Sequence, residues 1–146
     1  MDNALELPLL LDTHVWIWAS ENREDQLSRE SLRTIDRISQ NGTIYVSAIS
    51  PWEIGMLSAK RRITLSTQPL VWTEQALQAP GIQLVPLVPP IAIDSTHLPG
   101  NPPNDPADRL IIATARYVSA RLVTCDEHIL KYAKTQGTFA TLDARL

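Results

Sequence analysis

Cysteine is almost absent from this chain of 146 residues: Cys125 is alone and has no partner for an internal disulfide. That excludes a disulfide-stapled secreted scaffold and fits a reducing cytoplasm. Long apolar runs are missing too. None approaches the roughly 20 residues that a membrane-spanning helix needs. The N-terminal stretch MDNALELPLLL is acidic where a secretory signal would be basic. Nor is there an excess of positive charge. Lysine plus arginine number 13 against 16 acids, for a net charge of −3, which is not the balance of a protein that coats nucleic acid non-specifically. No G-x-G-x-x-G or G-x-x-x-x-G-K-[ST] supports dinucleotide or P-loop nucleotide binding. No G-x-S-x-G elbow supports an α/β-hydrolase serine. His14, His97 and His128 are scattered, with no H-x₃-H pair and no cysteine cluster, which excludes a zinc site of the usual spacing.

What remains is ordinary in bulk, with 44% apolar and 20% charged residues over a length that suits one folded domain with a core. Leu7 to Leu11 reads as a short buried strand, followed by a helix over Thr13 to Ala19. Ser28 to Gln40 reads as a helix stopped by Asn41-Gly42, and Thr43 to Val46 as a second strand. Ser50-Pro51-Trp52-Glu53 opens a helix that ends around Arg61. Pro69 to Leu77 is another helix, and Ile82 to Val85 a third strand. Pro89 to His97 reads as short helical or irregular chain. The proline-rich loop from Pro99 to Pro106 leads into a helix over Ala107 to Ser119, whose Ala107, Leu110, Ile111, Thr114 and Val118 keep helical spacing. Leu122 to Thr124 is a fourth strand, Glu127 to Thr135 a helix, and Thr138 to Leu142 a fifth strand. Strands alternating with helices predict a parallel sheet with helices on both faces. No repeat, linker or low-complexity tract divides the chain.

Four acids stand where an apolar segment gives way to a turn or a helix start: Asp12 in LPLLLDTHVW, Glu53 in VSAISPWEIG, Asp108 in NDPADRLIIATA and Asp126 in RLVTCDEHIL. Each has an ordinary structural use. Asp12 is a candidate helix cap. Ser50 to Glu53 has the form of a capping box with proline at the first helical position. Asp105-Pro106-Ala107-Asp108 repeats it with Asp105 as the cap. In Thr124-Cys125-Asp126-Glu127 a box headed by Thr124 leaves Asp126 no capping duty. The joint pattern goes further, because a parallel sheet gathers its strand ends into one crevice. Two carboxylates about 4 Å apart repel by roughly 4 kcal/mol at a surface-like dielectric. Helix dipoles, worth about 0.3–1 kcal/mol each, do not offset several such pairs. Protonation or a divalent cation must, and an all-oxygen donor set favours Mg²⁺ or Mn²⁺.

These segments together resemble the motifs of PIN-domain nucleases, and most closely the VapC-type toxins of bacterial toxin–antitoxin pairs. The likeness runs from Leu9 to about His128. By position, Asp12, Glu53, Asp108 and Asp126 match the family's metal-binding, catalytic acids. Asp105 matches a further acid, read as a helix cap or an outer partner of the site. Thr13 and Thr124 match small hydroxyl residues beside the acids, and Ser47 the serine of the second strand. The resemblance implies a three-layer α/β/α fold with a five-stranded parallel sheet, and a homodimer. It implies a cognate antitoxin whose C-terminal segment covers the acids, and an RNA substrate such as a tRNA or rRNA loop. With Mg²⁺ or Mn²⁺ and water as nucleophile, cleavage leaves 5′-phosphate and 3′-hydroxyl ends. One departure is NPPN, Asn101 to Asn104, where relatives commonly carry histidine or arginine, so a substrate contact made there does not carry over.

Two other functions use the same acids. One is a phosphohydrolase or phosphotransfer enzyme with an acidic Mg²⁺ pocket, although Thr13-His14 stands where haloacid-dehalogenase-like enzymes place a second aspartate. The other is a non-catalytic PIN-like binding module, which has no need to hold mutually repelling acids. Lys60, Arg61 and Arg62 form one candidate phosphate patch, or else cations at a helix C-terminus. Arg109, Arg116 and Arg121 form another. Trp16, Trp18, Trp52 and Trp72 are candidates for core or dimer packing, or for stacking bases. Cys125 reads as a small buried hydrophobe rather than a reactive thiol.

Overall fold

A computed structural model describes residues 6–146; the reading of the acidic N-terminus as no secretory signal falls mainly on residues outside that range. Five short strands run parallel: β1 (Leu9–Leu11), β2 (Ile44–Ser47), β3 (Ile82–Val85), β4 (Arg121–Thr124) and β5 (Thr141–Asp143). The helices are α1 (Thr13–Ser20), α2 (Arg29–Asn41), α3 (Ile49–Ala59), α4 (Pro69–Leu77), α5 (Pro89–Thr96), α6 (Pro106–Val118) and α7 (Glu127–Gln136). The sheet order is β3-β2-β1-β4-β5. The order therefore reverses between β1 and β4, where an open parallel sheet leaves a crevice at its carboxyl edge.

Alternation along the strands sorts the core into two halves. Leu9, Leu11, Ile44, Val46 and Val123 point to one face, against Trp16 of α1, Ile35 and Ile38 of α2, Ile54 of α3 and Trp72 of α4. Leu10 and Leu122 point to the other, against Ile111 and Ile112 of α6 and Ile129 and Tyr132 of α7. Each fully buried aliphatic side chain contributes about 1.5–3 kcal/mol of transfer free energy, so the strands, though short, are held from both sides. Trp16 and Trp72 meet edge to face with ring centroids 5.4 Å apart. The three-layer α/β/α arrangement with a five-stranded parallel sheet thus agrees with the sequence. Among the described residues no helix is long and apolar enough to cross a membrane.

The differences are local. β1 begins at Leu9, not Leu7, because Leu7 is left half in solvent and Pro8 has no N–H for a ladder. β5 begins at Thr141, not Thr138. Gly137 ends α7 in the left-handed region (φ 67), and the chain uses the next residues to return to the sheet. Pro89–Thr96 is a regular helix. The helix expected to start at Ser50 starts at Ile49 instead, with no side-chain cap from Ala48. The Ser47 hydroxyl accepts the Ile49 N–H at 3.2 Å and starts the turn itself, which frees Ser50 from capping.

Gly81 supplies one test of this packing. It enters β3 at φ 78, and a Cβ there would stand 2.5 Å from the Ser39 carbonyl oxygen of α2. Gly137 has a similar backbone (φ 67) but nothing within 4 Å of a Cβ. Gly137→Ala should therefore cost about 1 kcal/mol, from the left-handed backbone alone. Gly81→Ala should cost about 3 kcal/mol, because overpacking adds to that strain. Urea unfolding of the two variants checks this; equal costs would contradict the close approach of α2 to the β3 turn.

Candidate active site

The carboxyl ends of β1 and β4 meet through one hydroxyl. Asp12 leaves β1 with its N–H still donating to the Val123 carbonyl at 3.0 Å. Its carboxylate then accepts the Thr13 N–H at 2.9 Å and the Thr124 hydroxyl at 2.7 Å. The Thr124 oxygen in turn accepts the Asp126 N–H at 3.0 Å. Thr124 is buried, so the Asp12 side chain is fixed on both oxygens by groups that have no water to exchange with. α7 starts only at Glu127, and the Thr124 oxygen takes the Asp126 N–H ahead of it, so Thr124 does not cap the next helix. Asp126 does so, accepting the Ile129 N–H at 2.9 Å. That corrects the expectation that Asp126 has no capping duty; only one of its oxygens is used.

Glu53 arrives from α3 and is held by a second hydroxyl chain. Thr13 Oγ1 donates to Glu53 Oε1 at 2.5 Å and lies 2.8 Å from Ser50 Oγ. A threonine has one hydroxyl proton. With that proton on the carboxylate, Ser50 must be the donor to Thr13. The order Ser50 to Thr13 to Glu53 pins the first turn of α3 to the first turn of α1, with Thr13 and Ser50 both fully buried. The capping-box reading of Ser50 and Glu53 is thus replaced: both side chains turn inward to Thr13.

α6 brings the remaining acids. Asp105 caps it, accepting the Ala107 N–H at 2.8 Å, and Pro106 takes the first helical position, as the sequence predicts. Asp108 lies in the first turn, partly exposed, and no described residue hydrogen-bonds to its carboxylate. Arg109 Nε donates to the Pro103 carbonyl at 2.6 Å and ties the proline-rich loop to the helix.

The charges of these groups are felt mutually. Burial raises the Asp12 carboxyl above its usual range against its two hydrogen bonds, and the Asp126 charge adds to the rise. Burial also raises Glu53, opposed by the Thr13 hydrogen bond and reinforced by Asp12 and Asp105. Asp108 is pushed up to about 7, first by burial and then by Asp12, Asp105, Asp126 and Glu53 together. Acids from four separated segments of the chain therefore meet at one edge of the sheet. Among the described residues none of these five acids forms an ion pair with lysine, arginine or histidine.

A hard divalent cation fits the chemistry of this donor set, which is all oxygen, net negative and, among the described residues, without an ion-pair partner. Among the described residues, no three acidic, histidine or cysteine side chains are gathered closely enough to close around an ion as they stand. The fit is to an ion that keeps much of its water shell, as Mg²⁺ does.

Other candidate side chains have other contacts. Arg116 is committed to Asp94 at 2.8 Å, and Arg121 Nε donates to the Thr141 carbonyl at 3.0 Å from the first residue of β4. With Arg109 tied to the Pro103 carbonyl, each of these three arginines already has a protein partner. Cys125 is raised to about 11, chiefly by burial, and stays a thiol at neutral pH. His14 is exposed, its ring 5.3 Å from that of Trp18. The hydroxyl chains were not legible in the sequence. Their only signal there is a Ser or Thr within three residues of Asp12, Glu53 and Asp126, and their pairing spans 37 to 112 residues.

The PIN domain family model matches residues 9–135 of the chain. Ribonuclease VapC22 of Mycobacterium tuberculosis is 36% identical over 121 residues, covering 83% of this chain and 88% of that protein. Among solved structures, a chain of VapBC2 from Rickettsia felis bound to a promoter DNA fragment superposes with a TM-score of 0.67 at 16% identity, over 94% of this chain and 99% of that one. A chain of DNA-bound VapBC from Salmonella typhimurium gives 0.65 at 17% identity, over 94% and 98%. At such identities the two structures speak for the fold alone.

Proposed function

The chain belongs to the PIN domain family, as a VapC-type member, and from that premise we propose that it is a divalent-metal-dependent endoribonuclease, a toxin silenced by a cognate antitoxin. The observation that carries this reading is the network through Thr13 and Thr124 that ties Asp12, Glu53 and Asp126 together at the carboxyl edge of the sheet, with Asp108 near enough to feel their charges and, among the described residues, no ion pair to any of the four. Asp12, Asp108 and Asp126 would hold Mg²⁺ or Mn²⁺, directly or through waters, and Glu53 completes the site. When bound, such an ion stabilises charge on phosphoryl oxygens and makes water more acidic.

The protein's own groups divide the remaining work. Asp12 is fixed at both oxygens and keeps its place whether or not substrate is present. Glu53 has one oxygen held by Thr13 and a raised pKa, which suits it to orient water and take its proton. The Asp108 carboxylate has no hydrogen bond among the described residues and can turn toward incoming charge. The helix starts of α6 and α7, behind Asp108 and Asp126, add positive dipole ends where a phosphodiester would approach.

For the antitoxin, a groove of about 870 Å³ on the α1, α2 and α4 side would offer a seat for part of the partner beside the segment expected over the acids. Leu11, Trp16, Leu32, Ile35 and Ile82 are among its lining residues, and the buried Trp16 Nε1 has no hydrogen-bond partner among the described residues. Such a groove suits the apolar face of a helix. Homodimerisation would cover Leu84, Leu87 and Ile93, left 45%, 52% and 64% exposed around the β3 edge and α5.

The test is cleavage of single-stranded and loop RNA by the purified chain with Mg²⁺ or Mn²⁺, alongside a chromogenic phosphomonoester. The expected result is RNA fragments with 5′-phosphate and 3′-hydroxyl ends, no ester hydrolysis, and a mass by sedimentation of twice 16.3 kDa. Full activity in EDTA, cyclic-phosphate ends, or ester hydrolysis in place of RNA cleavage would contradict it.

A further inference from the structure

Among the described residues, one face of α3 is left without a protein partner. At 100° per residue, Trp52, Gly55, Met56 and Ala59 share a side of the helix, and Lys60 continues it. Ile54 and Leu57 face the core, while Trp52, Gly55, Ala59 and Lys60 are exposed, Trp52 at 58%. Trp52 also adjoins Glu53, so an apolar ring stands in solvent one residue from the acid site. At the far end Lys60, Arg61 and Arg62 are all exposed, and among the described residues none is in an ion pair.

The end of the helix has an unusual residue at its turn. Arg61 N–H donates to the Ser58 carbonyl at 3.0 Å and Arg62 N–H to the Leu57 carbonyl at 2.8 Å. This is a Schellman closure, whose left-handed position is usually glycine. Here Arg61 occupies it at φ 56. A long cationic side chain is thus kept where glycine would be less strained, and helix closure does not require it.

Resting on the ribonuclease reading, we propose that this face of α3 is the track for the single-stranded RNA substrate: Trp52 stacks a base beside the scissile phosphate, and Lys60, Arg61 and Arg62 hold backbone phosphates about 14 Å away along the helix. An aromatic platform leading to unpaired cations matches a strand of stacked bases and phosphates. It also supplies local positive charge that the acidic chain as a whole lacks. Gly55 and Ala59, the small residues between the two ends, keep the track open.

Binding is measured by anisotropy of a fluorescein-labelled, unstructured single-stranded RNA, on the full chain carrying Asp12→Asn so that the RNA stays intact. Adding Trp52→Ala should weaken binding about tenfold or more, and Trp52→Phe should restore most of it. Adding Arg61→Gly should weaken binding and shrink the slope of log affinity against log salt by about 0.7. The same substitution should raise the melting temperature by about 3 °C, since glycine suits the left-handed position. A merely structural arginine would not show the two effects together. Binding unchanged in both variants, with RNA cleavage by the unsubstituted chain intact, overturns this inference alone. So does a loss of self-association in Trp52→Ala, which would make the face a contact between copies. Absence of RNA cleavage by the unsubstituted chain would instead sink the ribonuclease reading beneath it.

Discussion

Replacing Asp12 by asparagine should lower metal-dependent RNA cleavage roughly a thousandfold, about 4 kcal/mol in the barrier, with the fold retained. The substitution removes one charge and almost no volume. The asparagine oxygen still accepts the Thr13 N–H, as Asp12 does at 2.9 Å. The amide turns toward Thr124, whose hydroxyl now donates at 2.7 Å and must rotate to accept instead. One neutral hydrogen bond is weakened, at a cost of about 1 kcal/mol. Against that, the variant no longer holds a carboxylate whose ionised form burial disfavours. The melting temperature should therefore stay within a few degrees of the parent. Measured together, cleavage rates and thermal unfolding separate a lost site from a lost fold. An Asp12→Asn protein that cleaves like the parent contradicts the assignment; one that fails to fold would mean Asp12 acts chiefly as the cap of α1.

The second large effect is on stability without metal, and it runs opposite to the usual carboxylate. Asp108 sits at about 7 in the folded chain against an ordinary 3.8. A raised acid binds more protons folded than unfolded, so folding loses stability as pH rises between those values. The loss is absent below about pH 4 and complete above about pH 7. Three units would be about 4 kcal/mol, which screening of a partly exposed group reduces to about 2, or about 6 °C in melting temperature. Burial moves Asp12 and Glu53 in the same direction. The metal-free protein should thus melt lower at pH 8 than at pH 5.5. Asp108→Asn should flatten that difference and melt about 6 °C higher than the parent at pH 8. Mn²⁺ or Mg²⁺ should stabilise the parent more at pH 8, where the acids are ionised, than at pH 5.5. A parent whose pH slope matches that of Asp108→Asn would contradict the rise of Asp108 by burial and by its acidic neighbours.

Most elements and all four acids were legible because their signals are local. An apolar run ending in Asp12, a proline at the first position of α6 with Asp105 before it, and the helical spacing from Ala107 onward are each read within a few residues. Where two local uses compete for one side chain, tertiary contacts decide. Ser50 and Thr124 both had the form of caps. Ser50 instead donates to Thr13, and Thr124 donates to Asp12, 112 residues away, while Asp126 caps α7. The tryptophans show the same limit. Their helical setting is shared, yet Trp16 and Trp72 pack edge to face in the core while Trp52 stands in solvent. The left-handed Arg61 has no sequence signal, since nothing in Lys60-Arg61-Arg62 marks a position that normally favours glycine.

The measurement that tests the central claim most directly is anomalous diffraction from crystals of the unsubstituted protein grown with Mn²⁺ near pH 8. A manganese peak bounded by the carboxylates of Asp12, Asp108 and Asp126, in contact or one water removed, is the expected result, with Glu53 still held by Thr13. Crystals that show no manganese at that edge, from protein that still cleaves RNA, would contradict it.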